Sequence, residues 1–234
     1  MVQTKRYWAV IPAAGVGRRM GSDIPKQYLP LAGKTVLEQT LSVFLKHPKI
    51  NGIVLAITEG DPYWQTLSQQ FQDISTPIML ASGGQERCHS VLNALIRLAT
   101  QADADDWVLV HDAARPCLSA EDIDYLINTL SKTSNGGLLG LPMADTVKRC
   151  DAQGHVLATV DRSELWRALT PQMFPLALLT KALTHALENK LLVTDEASAM
   201  ELQGLQVTML EGQASNIKIT HPSDLQMAEL FFRH

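Results

Sequence analysis

Trp8-Ala9-Val10-Ile11-Pro12-Ala13-Ala14-Gly15-Val16-Gly17-Arg18-Arg19-Met20, followed shortly by Pro25-Lys26-Gln27, decides how the rest of this chain is read. An apolar run ends in a loop of small residues, with cations just beyond it. Such a loop lets backbone N–H groups approach an anion closely. A strand, a loop of bare amides, then Arg19 and Lys26 suit a polyphosphate cradle. The dinucleotide fingerprint G-x-G-x-x-G fits poorly, because Met20 holds the third glycine position. Its acidic residue should follow a second strand, whereas Glu38 falls within a helical pattern. Gly33-Lys34-Thr35 imitates the end of a phosphate loop, but that motif needs glycine where Tyr28 stands.

Outward from this stretch the chain alternates strand and helix. Short apolar runs at Gly52 to Ile57, Pro77 to Leu80, Trp107 to His111 and Gly137 to Leu141 read as buried strands. Between them, 36–45, 62–71, 86–99 and 119–130 carry helical spacing of apolar residues or helix-start signals. Strands apolar on both faces predict an α/β fold with a mostly parallel sheet, covered on both sides. The rhythm breaks after Pro142. Thr146 to Cys150 and His155 to Val160 flank Asp151-Ala152-Gln153-Gly154 and predict a hairpin. It lies within a stretch, about Met143 to Thr170, that is poor in large apolar residues, and reads either as a protruding β-hairpin arm, at about 143–165, or as a surface hairpin packed on its own subunit. Helices at 175–188 and 195–202, a strand at 206–210 and a helix from Pro222 complete the expectation of one domain over 1–234.

The 234 residues, 46% hydrophobic and 19% charged, can bury a full core. A net charge of −4 argues against broad nucleic-acid or anionic-membrane binding, yet a small anion needs only a few local cations. No apolar run is long enough to span a bilayer. The three scattered cysteines, Cys88, Cys117 and Cys150, show no metal-ligand spacing and predict reduced thiols in a cytoplasmic setting, as does the polar start of the chain.

Further polar clusters fall where strands end. Ser82-Gly83-Gly84-Gln85-Glu86-Arg87 with Ser90 joins a strand to a helix, whose N-terminus could meet a phosphate, ribose or base. In His111-Asp112-Ala113-Ala114-Arg115-Pro116, Asp112 is a single carboxylate of the kind that suits Mg²⁺, which takes few protein ligands and many phosphate or water oxygens. Its other reading is a helix cap or an ion pair with Arg115. His111 reads as a packed histidine, and Thr194-Asp195-Glu196 as a helix cap. Asp161-Arg162 ends the arm, and Lys218 alternates with Ile217 and Ile219, facing away from the side they bury. No serine or cysteine has a convincing histidine partner. That fits phosphoryl or nucleotidyl transfer, in which the substrates supply nucleophile and leaving group and the protein positions them.

In this order the clusters resemble one family, the 2-C-methyl-D-erythritol 4-phosphate cytidylyltransferases of the non-mevalonate isoprenoid pathway. The resemblance rests on the Pro12 to Met20 loop, Pro25-Lys26-Gln27-Tyr28, Gly83-Gly84 with Arg87, Ser90 and Val91, and His111 to Pro116. Asp145-Thr146-Val147-Lys148, Leu169-Thr170-Pro171-Gln172, Thr194 to Ala197 and Asn216-Ile217-Lys218 extend it over nearly the whole chain. It implies a three-layer Rossmann-like nucleotidyltransferase fold and a homodimer whose arms embrace. It implies the reaction of CTP with 2-C-methyl-D-erythritol 4-phosphate to give 4-diphosphocytidyl-2-C-methyl-D-erythritol and pyrophosphate. By this resemblance Ala13, Ala14, Gly15, Gly84, Ser90 and Asp112, with the adjoining Ala113, hold the nucleotide. Arg19 and Lys26 stabilise the transition state, and Arg162 and Lys218 position the acceptor phosphate. Arg115, Thr146 and Thr170 line the acceptor pocket, some across the dimer. Two departures stand out: Gln85 in place of an aspartate and Ser215 at the start of the Asn216 tract. A ribitol 5-phosphate cytidylyltransferase would share the loop chemistry with a different acceptor pocket. A nicotinamide-dependent oxidoreductase and a non-catalytic nucleotide-binding module are the readings from other classes.

Overall fold

A computed structural model describes residues 5–15 and 24–232. The calls on Gly17, Arg19 and Met20 therefore lie outside the described residues. The first strand, β1 (Tyr7–Pro12), runs into the small-residue loop, and a short 3-10 turn spans Lys26–Tyr28. A small hairpin of β2 (Pro30–Leu31) and β3 (Lys34–Thr35) then leads into helix α1 (Val36–Lys46). The hairpin turns through Ala32 and Gly33, both at positive φ, so Gly33 serves this reversal. Thr35 and Glu38 form a reciprocal capping box for α1, which accounts for Glu38 locally.

The alternation continues with β4 (Ile50–Ile57), α2 (Pro62–Leu67), β5 (Ile78–Ser82), α3 (Arg87–Leu98), β6 (Trp107–Val110), α4 (Ala120–Leu130) and β7 (Gly137–Pro142). The helix expected over 62–71 tightens into a 3-10 turn at Ser68–Phe71. Next come β8 (Val147–Cys150) and β9 (Val156–Val160), then β10 (Trp166–Pro175), α5 (Leu176–Glu188), α6 (Glu196–Glu201), β11 (Thr208–Glu211) and α7 (Pro222–Leu230).

One seven-stranded sheet runs in the order β11-β7-β10-β6-β1-β4-β5. Its pairs are parallel except for β10, which is antiparallel to both β6 and β7. The alternation of side chains along each strand feeds two cores. Ala9, Ile11, Trp107 and Leu109 face α1, α2 and α4, whereas Val10, Val108 and Val110 face α3, α5 and α6. These side chains are essentially buried, and each large one contributes about 1.5–3 kcal/mol. The result is the three-layer α/β arrangement expected.

β10 is the main difference from the sequence reading, which gave this stretch to the arm and its return. Trp166–Pro175 is instead a long central strand between β6 and β7. Pro171, which has no N–H to donate, is accommodated by a register shift between Ala168 and Gln172. The hairpin itself forms as expected, with β8 antiparallel to β9 and a tip in which Asp151 Oδ1 accepts from the N–H groups of Gln153 and His155. Val156 and Leu157 are 62% and 63% exposed, so the hairpin stands away from the core of its own chain.

Candidate active site

A cleft of about 550 Å³ opens at the carboxyl ends of β1, β5 and β6. Ala13, Ala14 and Gly15 form one wall, where Ala13 N–H donates to Ala56 O at 2.8 Å and ties the loop to β4. A Cβ on Gly15 would meet nothing within 4 Å among the described residues, and its φ is not positive. Glycine there leaves room in the cleft rather than solving a packing problem. Gly83 is different: a Cβ would lie 2.2 Å from that of Ala14, so β5 and the β1 loop approach this closely only with glycine.

Gly84, Gln85, Glu86 and Ser90 make the opposite wall at the start of α3. Ser90 Oγ accepts from Gly84 N–H at 2.9 Å and shapes the turn. No side chain among the described residues caps α3, in contrast to α1 and to α4, which Ser119 caps. The positive dipole end of α3 opens on the cleft, which favours an anion.

The cations enter from distant parts of the chain. Lys26 lines the cleft and its Nζ donates to Ile219 O at 2.9 Å. The turn carrying it is pinned by Gln27, whose buried amide donates to Ala13 O at 2.7 Å. Lys218 Nζ lies 2.8 Å from Asp112 Oδ2, and Arg87 Nε 2.8 Å from Asp112 Oδ1. The rest of the Arg87 guanidinium makes a bidentate pair with Glu196, at 2.5 and 3.0 Å. Arg115 Nε is 3.6 Å from Asp112 Oδ2, too far for a hydrogen bond, and its Nη1 donates instead to Asn216 O at 2.8 Å.

Asp112 is buried, and burial alone would push its carboxyl pKa up. Arg87 and Lys218 reverse this and hold it well below the usual carboxylate range. The magnitudes agree: each unit charge about 4 Å away contributes about 4 kcal/mol at an effective dielectric constant near 20, and two cations here are closer. Burial opposes the charge of Arg87 as well, but Glu196 and Asp112 outweigh it and raise its pKa. In a chain of net charge −4, Lys26, Arg87, Arg115 and Lys218 converge on one place, where among the described residues they outnumber Asp112, Glu86 and Glu196.

Among the expected residues, Ala13, Ala14, Gly15, Lys26, Gly84, Ser90, Asp112, Ala113 and Lys218 therefore meet in one cleft. Arg115 and Thr170 are buried behind it. Thr170 Oγ1 accepts from Asp112 N–H at 3.1 Å, so it sets the backbone that presents the carboxylate. Thr146 and Arg162 belong to the exposed arm, where Arg162 donates to Ala144 O, and neither lines the cleft of its own chain. The sequence reading left Glu196 as part of a helix cap. Asp195 does cap α6, but Glu196 is buried and anchors Arg87. A carboxylate in a first helical turn carries no local sign of a partner 109 residues away.

His111 is a packed histidine, as read. Its Nε2 donates to Arg115 O at 2.9 Å, so in the neutral ring Nδ1 accepts from the Thr170 hydroxyl, also at 2.9 Å. Burial lowers its pKa from 6.5 to about 4. The unfolded chain takes up this proton first, so stability is lost as pH falls from 6.5 to about 4, to a total of about 3 kcal/mol. Asp112 adds a further loss only below its unfolded value of 3.8. Urea unfolding across pH 7 to about 4.5 is expected to show the loss in the wild type and a flatter profile in His111→Gln; parallel profiles would remove His111 as its source.

The model of the IspD family, described as 2-C-methyl-D-erythritol 4-phosphate cytidylyltransferase, matches residues 7–234. This chain belongs to that family. The enzyme of this name from Pseudomonas putida is 54% identical over 222 residues, covering 94% of this chain and 93% of the relative. The one from Pseudomonas aeruginosa is 52% identical over 229 residues, covering 97% of each. A crystal structure of a 4-diphosphocytidyl-2C-methyl-D-erythritol synthase superposes with a TM-score of 0.85 at 37% identity, covering 98% of this chain and 99% of the other. The Francisella tularensis cytidylyltransferase gives 0.82 at 38% identity, covering 97% and 100%. Cations gathered beside a helix N-terminus suit nucleotidyl transfer, in which a polyphosphate must be neutralised.

Proposed function

We propose that this cytidylyltransferase-family chain moves CMP from CTP to 2-C-methyl-D-erythritol 4-phosphate. An oxygen of the acceptor's phosphate attacks the α-phosphorus of CTP in line. The bond from that phosphorus to the β-phosphate bridging oxygen breaks, and pyrophosphate leaves with the electron pair. The attacking oxygen is already anionic, so no general base is needed, which accounts for the missing nucleophile–histidine pair. The observation that carries the reading is the meeting of Lys26 and Lys218 with the Asp112–Arg87 pair at the open N-terminus of α3.

In this reading the triphosphate lies between the Gly15 loop and α3. The ammonium of Lys26, oriented by its bond to Ile219 O, meets charge developing on the transferring and leaving oxygens. The family resemblance assigns the same role to Arg19, which lies outside the described residues. Lys218 holds the acceptor phosphate, and Asp112 fixes where that ammonium points. The donor set suits a magnesium ion carried in on the nucleotide: Asp112 is a single carboxylate facing the cleft, and its oxygens already accept from Arg87 and Lys218, leaving phosphate and water to supply most ligands. When bound, that ion offsets phosphate charge. The test is pyrophosphate release with four nucleoside triphosphates, with and without the acceptor. Release only with CTP and methylerythritol phosphate supports the reading. Equal release with ribitol 5-phosphate, or CTP binding without release, would overturn it.

The single domain works as a homodimer in a cytoplasmic setting, and this too is our proposal. The exposed Val156 and Leu157 on the arm suit burial against a second copy, and Arg162 and Thr146 then reach the neighbour's cleft. Among the described residues no helix is long and apolar enough to cross a membrane. Mixing inactive Arg162→Ala and Lys26→Ala subunits is expected to restore one working site per heterodimer. No recovery on exchange would place Arg162 in the cleft of its own chain.

A further inference from the structure

Glu86, which lines the cleft, and Cys88 and His89, in the first turn of α3, bring a carboxylate, a buried thiol and an imidazole together within 4.8 Å. We infer that this cluster is a binding site for a zinc-class divalent cation, separate from any magnesium carried by the nucleotide. The three cysteines are scattered and show no metal-ligand spacing among themselves, whereas an acid and a histidine stand beside Cys88.

The geometry supports the site. Cys88 Sγ is 3.7 Å from Glu86 Oε2 and 3.7 Å from His89 Nδ1. With the usual zinc bond lengths, the sulfur-to-oxygen and sulfur-to-nitrogen edges of a tetrahedral site are each about 3.6 Å. The two edges to sulfur already match, and the carboxylate and imidazole, within 4.8 Å of each other, need only draw together around the ion. A thiolate, an imidazole and a carboxylate are a borderline donor set that suits zinc and cobalt better than magnesium or calcium.

Without an ion the cluster holds Cys88 as a thiol, and the ion itself must favour the thiolate. Burial raises the Cys88 pKa first, and the neighbouring Glu86 charge raises it further, while the N–H groups of Cys88 and His89 favour the thiolate. A divalent ion between the two anions reverses the effect of Glu86 and displaces the thiol proton to solvent, so one proton is released for each ion bound. Glu86 and Cys88 thiolate then balance the ion's charge, which limits its conflict with the dipole of α3. Glu86 is exposed and lines the cleft, and His89 is half-buried, so the ion has a route in and one coordination position remains for water or another ligand.

The probe is Co²⁺ alone, titrated into the chelator-treated full chain and followed by absorption. The expected result is one equivalent of tightly bound Co²⁺ with thiolate-to-cobalt charge transfer and the visible bands of a tetrahedral ion, all removed by added Zn²⁺. Cys88→Ala should lose the charge transfer, and His89→Gln should weaken binding by about tenfold or more, a loss seen even for outer-sphere partners of a metal. His89→Gln also guards against misfolding, since the side chain is only half-buried. Absence of the thiolate band in the wild type at saturating Co²⁺ overturns the site. So does its persistence in Cys88→Ala, which would assign it to Cys117 or Cys150.

Discussion

Lys26→Ala is expected to lower kcat by about 10²–10³, with the KM for CTP changing far less, because it removes one preorganised donor that acts as charge develops. The size of the effect follows from how firmly the ammonium is placed. Its turn is tied to the β1 loop through Gln27 and Ala13 O, and Nζ itself is held by Ile219 O. That placement is achieved in folding, so it costs little at the moment of reaction. On the function we propose, the loop amides and the end of α3 share the binding of the ground-state triphosphate, so that binding should survive the loss. Steady-state kinetics with each substrate varied in turn decide the matter. A raised KM with unchanged kcat would make Lys26 a simple binding residue.

Glu196→Ala is expected to destabilise the fold by about 3 kcal/mol, the low end for breaking a buried pair, because the stranded Arg87 side chain is 28% exposed to the cleft. Glu196 is 1% exposed, and it takes two of the hydrogen bonds of Arg87. Without it the guanidinium keeps only Asp112 as a counter-charge. Arg87→Met should show a loss of similar size, because it strands Glu196. The double variant should lose distinctly less than the two losses added together, since no unpaired charge remains. Chemical denaturation of all four proteins measures this. Strict additivity would mean that the pair does not act as a unit. The pair also bears on activity, because Arg87 orients the carboxylate that holds Lys218.

The parallel part of the sheet was legible because β1, β4 and β6 are short continuous apolar runs that feed both cores, and the helices between them carry strong start signals. β10 was not. It is a central strand containing Arg167, Thr170, Pro171 and Gln172, whose polarity and lack of alternation hide it. These residues are accommodated by tertiary bonds. Gln172 accepts from Ala197 N–H at 2.8 Å and donates to Asp195 at 2.9 Å, and Thr170 braces Asp112. A propensity reading cannot see such partners, because they lie 23 to 58 residues away.

The candidate site divides along the same line. The Gly15 loop, the start of α3 and Asp112 could be read as strand-end clusters, because each is local in sequence. Lys218 was an ordinary surface lysine until the family resemblance was added, since its partner Asp112 is far along the chain. Arg87 stood within a quoted motif without a role, and its importance lies in contacts to both Asp112 and Glu196. What was hidden is the ion network, which exists only once the sheet has brought β5, β6 and the C-terminal segment together.

A crystal structure of this chain with CTP and the acceptor decides whether this cleft is where transfer occurs. It should show a triphosphate lying across the Gly15 loop toward the N-terminus of α3, with the Lys26 ammonium on its phosphate oxygens and Lys218 on the acceptor phosphate. A nucleotide bound elsewhere, or both ammonium groups pointing into bulk water away from any phosphate, would contradict it.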